Sequence, residues 1–127
     1  MNKASNLIIL LFCLSAGMIL NSCDKYHVKK LSGTYNCQVH YNYWSGASTI
    51  IDTIYNENVI VEREGHFVTV LDYKIHIDSL WNEKKYTEGY IHNFIEIQFI
   101  NDNLLITRHS GGLGGGATWQ YNGIKEN

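Results

Sequence analysis

The sequence predicts an all-β domain: an antiparallel meander of about eight or nine short strands, closed as a small barrel or folded as a β-sandwich. Three observations predict it. After Cys23 no stretch holds apolar residues at i, i+3, i+4 and i+7 for three turns, so no amphipathic helix is expected. Apolar and polar residues alternate instead, with the period of a strand that has one buried side. Clusters of Gly, Asn, Asp and Ser interrupt the alternation at a spacing of roughly 10–12 residues.

Each element follows from its residues. Tyr35, Cys37, Val39 and Tyr41 fall on one side of a first strand, and Thr34, Asn36, Gln38 and His40 on the other. Ser45-Gly46 turns the chain. Thr49 to Tyr55 is β-branched and aromatic, as strands prefer. Asn56-Glu57-Asn58 is expected to end it. Val59 to Glu64 and His66 to Leu71 then flank Gly65 as a hairpin around Glu64-Gly65. Tyr73 to Leu80 reads as a strand with Ile75 and Ile77 on one side. Asn82-Glu83-Lys84 is a turn, and Tyr86 to Tyr90 a further strand. Ile91 to Ile100 alternates most clearly, with Ile91, Asn93, Ile95, Ile97 and Phe99 sharing a side. Asn101-Asp102-Asn103 supplies the next turn, because Asn and Asp tolerate positive φ. Leu104 to Arg108 returns, Ser110 to Gly116 is a glycine loop, and Ala117 to Ile124 closes the domain. Barrel closure would remove exposed edges. Eight strands enclose room for side chains, or for one small ligand.

Composition narrows the function. The 127 residues allow one domain, and 45% hydrophobic with 17% charged residues excludes a disordered chain. Pro is 0, which excludes a polyproline ligand or a proline-rich linker. The net charge of -2 leaves no basic excess to neutralise phosphates, so no nucleic-acid partner is expected.

Residues 1–22 read as a secretory signal: Lys3, an apolar run from Leu7 to Leu14, then small residues before a break. Leu20-Asn21-Ser22-Cys23 resembles the lipobox of bacterial lipoproteins. The resemblance implies cleavage between Ser22 and Cys23, diacylglycerol on the Cys23 sulfur, and acylation of the new N-terminus. Residues 23–30 would then be a polar tether to the membrane, and residues 31–125 the β-domain. Asp24 directly after the lipidated Cys implies inner-membrane retention under the enterobacterial sorting rule, but acidic residues there accompany export in Bacteroidota-type lipoproteins. The Ile-, Asn-, Tyr- and Lys-rich composition resembles the second group, so the outer membrane is expected, at its periplasmic or cell-surface face. Cys13 leaves with the signal and Cys23 becomes a thioether. Cys37 remains alone, in strand alternation, and is expected to be an inert buried thiol.

Gly33-Thr34-Tyr35, the Asn101-Asp102-Asn103-Leu104 turn, and the Gly-Gly-Leu-Gly-Gly-Gly run before Tyr121-Asn122-Gly123 together resemble small, uncharacterised Bacteroidota lipoproteins with a lipocalin-like β-barrel. The likeness covers most of residues 31–125 and brings no catalytic residues. Tyr35 stands where the lipocalin Gly-x-Trp hallmark has its Trp.

Candidate chemistry is sparse. Gly112, Gly114 and Ala117 fit G-x-G-x-x-A, but a strand-like Ala-Thr-Trp-Gln-Tyr follows where a dinucleotide site needs a helix. No cofactor is expected. His76-Ile77-Asp78 would place an imidazole and a carboxylate on one strand side, without the third ligand a metal site needs. No metal is expected. Glu62 and Glu64 share a side and should be solvated. No Gly-x-Ser-x-Gly elbow exists, so no catalytic residues and no enzyme are predicted. The turn-borne aromatics Tyr43, Trp44 and Trp81 are the candidate partner or ligand contacts. Trp119 and Tyr121 share a side of the last strand, and Trp119 is expected to pack in the core at a barrel end. The expected function is a lipid-anchored outer-membrane β-domain that contacts a protein or glycan. An inhibitor of a lytic enzyme would present the same kind of surface. The alternative is a lipocalin-like carrier of a small apolar ligand, which requires an empty cavity of roughly 300 Å³ or more.

Overall fold

Two-residue loops between alternating strands leave no room for a crossover, so consecutive strands lie side by side and antiparallel. The computed structural model describes residues 30–127, and Leu31–Asn127 forms one compact unit. Its strands are Gly33–Ser45 (β1), Ser48–Glu64 (β2), Phe67–Val70 (β3), Tyr73–His76 (β4), Lys85–Tyr90 (β5), Asn93–Ile100 (β6), Asn103–Gly112 (β7) and Gly115–Lys125 (β8). Two-residue loops join all of them except β4 and β5. Gly46, Gly65, Leu71 and Asn101 open four of these loops at φ of 60°, 60°, 53° and 54°. That is the left-handed region that hairpin turns matched to strand twist require.

The strand order is β4-β3-β2-β1-β8-β7-β6-β5. Every pair of chain neighbours is also a sheet neighbour except β4 and β5. The first and last strands pair along eleven residues, from Tyr35 opposite Lys125 to Ser45 opposite Gly115. The meander thus wraps into a nearly closed barrel-like sheet with one seam, between β4 and β5. Two 3₁₀ turns, Ile77–Ser79 and Trp81–Glu83, bridge the seam. Leu80 between them is buried, and Gln98 Nε2 donates to the Glu83 carbonyl at 2.7 Å to tie the bridge to β6.

The inner rows are those the alternation marks. Tyr35, Cys37 and Val39 of β1 meet Val59 and Val61 of β2, Val68 and Val70 of β3, and Ile75 of β4. From the other side come Ile95, Ile97 and Phe99 of β6, Leu104 and Ile106 of β7, and Tyr121 of β8. The Tyr35 ring meets the Phe99 ring edge-on at 5.8 Å, and its hydroxyl donates to the Leu31 carbonyl at 2.8 Å. A buried phenol is tolerable only with such a partner. Gly123 of β8 lies directly opposite Cys37, and a Cβ there would stand 2.5 Å from Cys37 Sγ. The sulfur occupies the space that any other residue at 123 would need.

Four expectations change. Asn56-Glu57-Asn58 does not break a strand: β2 runs on through it, held by a register in which Asn56, Glu57 and Asn58 face Gln38, Cys37 and Asn36. β4 stops at His76, where the chain turns into the seam bridge and Ile77 leaves the alternation. β6 starts at Asn93 because Ile91-His92 form its hairpin loop. The glycine run is not a loop: Gly111 and Gly112 end β7, Gly115 and Gly116 begin β8, and only Leu113-Gly114 turn.

Two outcomes follow from this packing. Gly123→Ala should lower stability by about 1–3 kcal/mol through overpacking. Cys37→Ala in the same chain should recover most of that loss, giving a favourable coupling in a double-mutant cycle read by urea unfolding. Burial also pushes the Cys37 thiol from 9.0 up to about 11 and the Tyr35 phenol from 10.0 up to about 12. The fold therefore favours the neutral forms. That stabilisation is complete below the unfolded-state values and is lost as pH rises through the folded ones. The urea midpoint should stay level up to about pH 9 and fall steadily above it, with Cys37→Ala removing the earliest part of the fall.

Candidate functional site

β3 and β4 are four residues each, and β3 pairs only with Val61–Glu64 of β2. The sheet is therefore ringed at one end and open at the other. At the open end the inner rows continue without a roof. Beyond Val39 the β1 row carries Tyr41 and Tyr43, and before Val59 the β2 row carries Tyr55 and Glu57. Before Tyr121 the β8 row carries Trp119, and beyond Ile106 the β7 row carries Arg108. Neighbouring pairs bring these side chains together. Tyr41 is opposite Trp119, with ring centroids 5.1 Å apart. Trp119 is opposite Arg108, whose guanidinium carbon lies 5.3 Å from the indole centroid. The indole stands between a phenol and a cation, an arrangement that attraction between cation and ring stabilises.

Electrostatics tie Glu57 to the same surface. Burial raises Tyr121 to about 12, with Glu57 and Tyr55 adding to the rise and Arg108 opposing it. Tyr55 is raised as well, first by burial and then by Glu57 and Tyr41. The result is a concave patch of phenols and an indole that holds one carboxylate and one guanidinium. Both Glu57 and Arg108 are exposed. Below it Val39, Ile97 and Ile106 are buried. A recess that shares Arg108 with the patch measures about 160 Å³ and is also lined by Glu88, Asn93 and Ser110.

The structure separates the three aromatics singled out from sequence. Tyr43 lies on the concave side beside Tyr41's row. Trp44, the next residue in an unbroken β1–β8 register, lies on the convex side. Its ring lies tilted against His109 with centroids 5.2 Å apart, and His109 stacks in turn on Phe94 at 5.4 Å. His109 Nδ1 and Thr118 Oγ1 are 3.1 Å apart, which fixes the imidazole. Trp81 sits in the seam bridge, on a third surface. Tyr121 is buried, whereas Trp119 is half-buried and belongs to the patch rather than to the core where it is expected. Ser22 and Cys23 lie outside the described residues.

The remaining candidates hold no assembled chemistry. Cys37 is buried and donates weakly to the Tyr35 carbonyl at 3.6 Å. Glu62 and Glu64 are exposed, and Lys74 Nζ reaches Glu64 at 2.6 Å. His76 Nδ1 and Asp78 Oδ2 are 3.4 Å apart, though Asp78 lies in the 3₁₀ turn and not on a strand. Among the described residues no three His, Cys, Asp or Glu side chains are placed to hold a metal ion. Sequence reasoning missed Arg108 and Glu57. The signal was present: each falls in phase with buried neighbours, Arg108 with Leu104 and Ile106, Glu57 with Val59 and Val61. A charge in a core-facing phase marks the point where the core ends.

No family model, curated protein or solved structure matches the chain.

The glycines offer a direct check on which part of their run is structural. A Cβ on Gly111 would meet Gly116 Cα at 2.6 Å, and one on Gly116 would meet Trp44 Cζ2 at 2.9 Å, while Gly112 and Gly114 face open space. Gly111→Ala and Gly116→Ala should each destabilise by about 2 kcal/mol or more, and Gly112→Ala and Gly114→Ala should stay within about 0.5 kcal/mol of the parent in thermal unfolding.

Proposed function

We propose that this chain is a lipid-anchored β-domain of the outer membrane that contacts a protein partner through its open concave end. The observation that carries the reading is the Tyr41–Trp119–Arg108 cluster, with Tyr55 and Glu57 beside it, at the open end above the buried rows of Val39, Ile106 and Tyr121. Trp, Tyr and Arg are the residues that dominate binding energy at protein interfaces. A flanking carboxylate adds orientation and selectivity rather than affinity. A glycan is the weaker fit, because Tyr41 and Arg108 already lie against the indole on which a sugar ring would stack.

The anchor rests on Leu20-Asn21-Ser22-Cys23. No helix among the described residues is long and apolar enough to cross a membrane, and lipid on Cys23 would supply attachment without one. An internal carrier finds less support. It needs an apolar cavity of roughly 300 Å³, whereas Tyr35, Ile95, Ile97, Leu104 and Ile106 fill the ringed end.

Two measurements test the proposal. Cys23→Ala should move the protein from the membrane pellet to the soluble fraction; retention in the pellet would sink the anchor. In intact cells, cross-linking should recover a protein with the parent chain. Trp119→Ala or Arg108→Ala should each weaken that recovery about tenfold or more, the effect of losing a dominant contact. Leu113→Ala, on the exposed β7–β8 loop, should leave it unchanged. Recovery of polysaccharide instead of protein would overturn the choice of partner.

A further inference from the structure

From Ile50 to Ile60, β2 has β1 on one side and no strand on the other among the described residues; β3 begins its pairing only at Val61. Among the described residues nothing pairs with the row of backbone N–H and C=O groups on this side, and water is left to satisfy them. Natural sheets guard such edges with Lys, Pro or shortened strands. Ser48 to Val61 contains no Lys, Arg or Pro. It carries instead Ile50, Ile51, Ile54, Tyr55 and Ile60, half of all the exposed large apolar side chains among the described residues, with Ile54 and Ile60 each 61% exposed. The other exposed ones are scattered over β3, β5, β8 and two loops.

We propose that this edge pairs with the same edge of a second copy, β2 against β2, antiparallel, about a two-fold axis at Tyr55. The residues select both the partner and the register. The free run is bounded at one end by Val61, already paired with Val70, and at the other by the bulge that leaves Ile50 unpaired beside Tyr43 and Trp44. Its midpoint is Tyr55. A perpendicular two-fold keeps each sheet side continuous, so a residue must face one of the same phase. Registers centred on Asp52 or Glu57 would set two carboxylates against each other. Centred on Tyr55, Ile51 faces Val59 of the second copy, Asp52 faces Asn58, Thr53 faces Glu57, and Tyr55 faces Tyr55. Ile50 meets Ile60 as well, Ile54 against Asn56 is the single apolar–polar pair, and no charge meets its like, which is close to the pattern cross-strand pairs favour. The pairing joins two curved sheets into one and sets the two concave patches side by side. It does not depend on the partner proposed above.

The test uses the full chain in its own membranes. Two Cys residues at directly facing positions come within disulfide range. Tyr55→Cys should form a covalent dimer on non-reducing gels, well above the parent chain with its native cysteines. Asp52→Cys and Glu57→Cys, which face other residues, should not exceed the parent. Ile54→Lys added to Tyr55→Cys should cut the cross-link about tenfold while far-UV circular dichroism stays unchanged, because an edge lysine opposes pairing. Trp119→Ala added to Tyr55→Cys should leave the cross-link intact, so self-pairing and partner capture are read separately. Equal cross-linking at positions 52, 55 and 57, or none above the parent at 55, would overturn the inference. So would a mixed disulfide from position 55 to a different protein that persists when Trp119→Ala removes capture at the concave patch, which would assign the edge to a foreign strand.

Discussion

β3 and β4 are too short for the sheet they belong to, and most of the architecture follows from that mismatch. Their four residues ring the barrel only where Val61–Glu64 can reach them. At that level every inner row except those of β4 and β5 at the seam has a strand on both sides, and the packing is close enough that Cys37 Sγ excludes a Cβ at Gly123. Past that level β1, β2, β7 and β8 continue by half their length or more, but the ring does not. The same inward phase that gives a core below gives a surface above. Apolar residues yield to Tyr, Trp, Arg and Glu at the height where the ring ends.

Much of this was legible in the chain. Tyr35, Cys37, Val39 and Ile95, Ile97, Phe99 alternate as they should, and every one of them is buried. Asn101-Asp102 and Gly65 turn where their chemistry says they turn. The failures share a cause, which is that local composition was outweighed by pairing. Asn56-Glu57-Asn58 has the residues of a turn, yet β1 opposite is continuous and holds those positions extended. Gly111 and Gly116 have the freedom of a loop, yet they face each other across a ladder in which their missing side chains allow close approach. No single-strand pattern records either fact.

The site was less legible than the fold. Proximity in sequence suggested that Tyr43 and Trp44 act together, whereas strand geometry sends adjacent residues to opposite sides of a sheet. The patch that does form draws on β1, β2, β7 and β8, whose order in space depends on the β1–β8 closure. Its two charges could have been found by phase alone. Its aromatic neighbours could not, because a Tyr in an inner row reads the same whether it ends up under a roof or in the open.

The two borders of the sheet are unequal, and this has a consequence for stoichiometry. β5 is six residues long, carries Lys85 and Glu88, and faces Tyr73 of β4 around a shared recess across the seam. It offers little to an incoming chain. β2 offers a long apolar border, and only one per molecule. Whatever strand settles on it, a second addition has no equivalent place to go. Fibrous polymerisation needs two complementary ends on every unit, and this unit has a single sticky one, so association stops after one step.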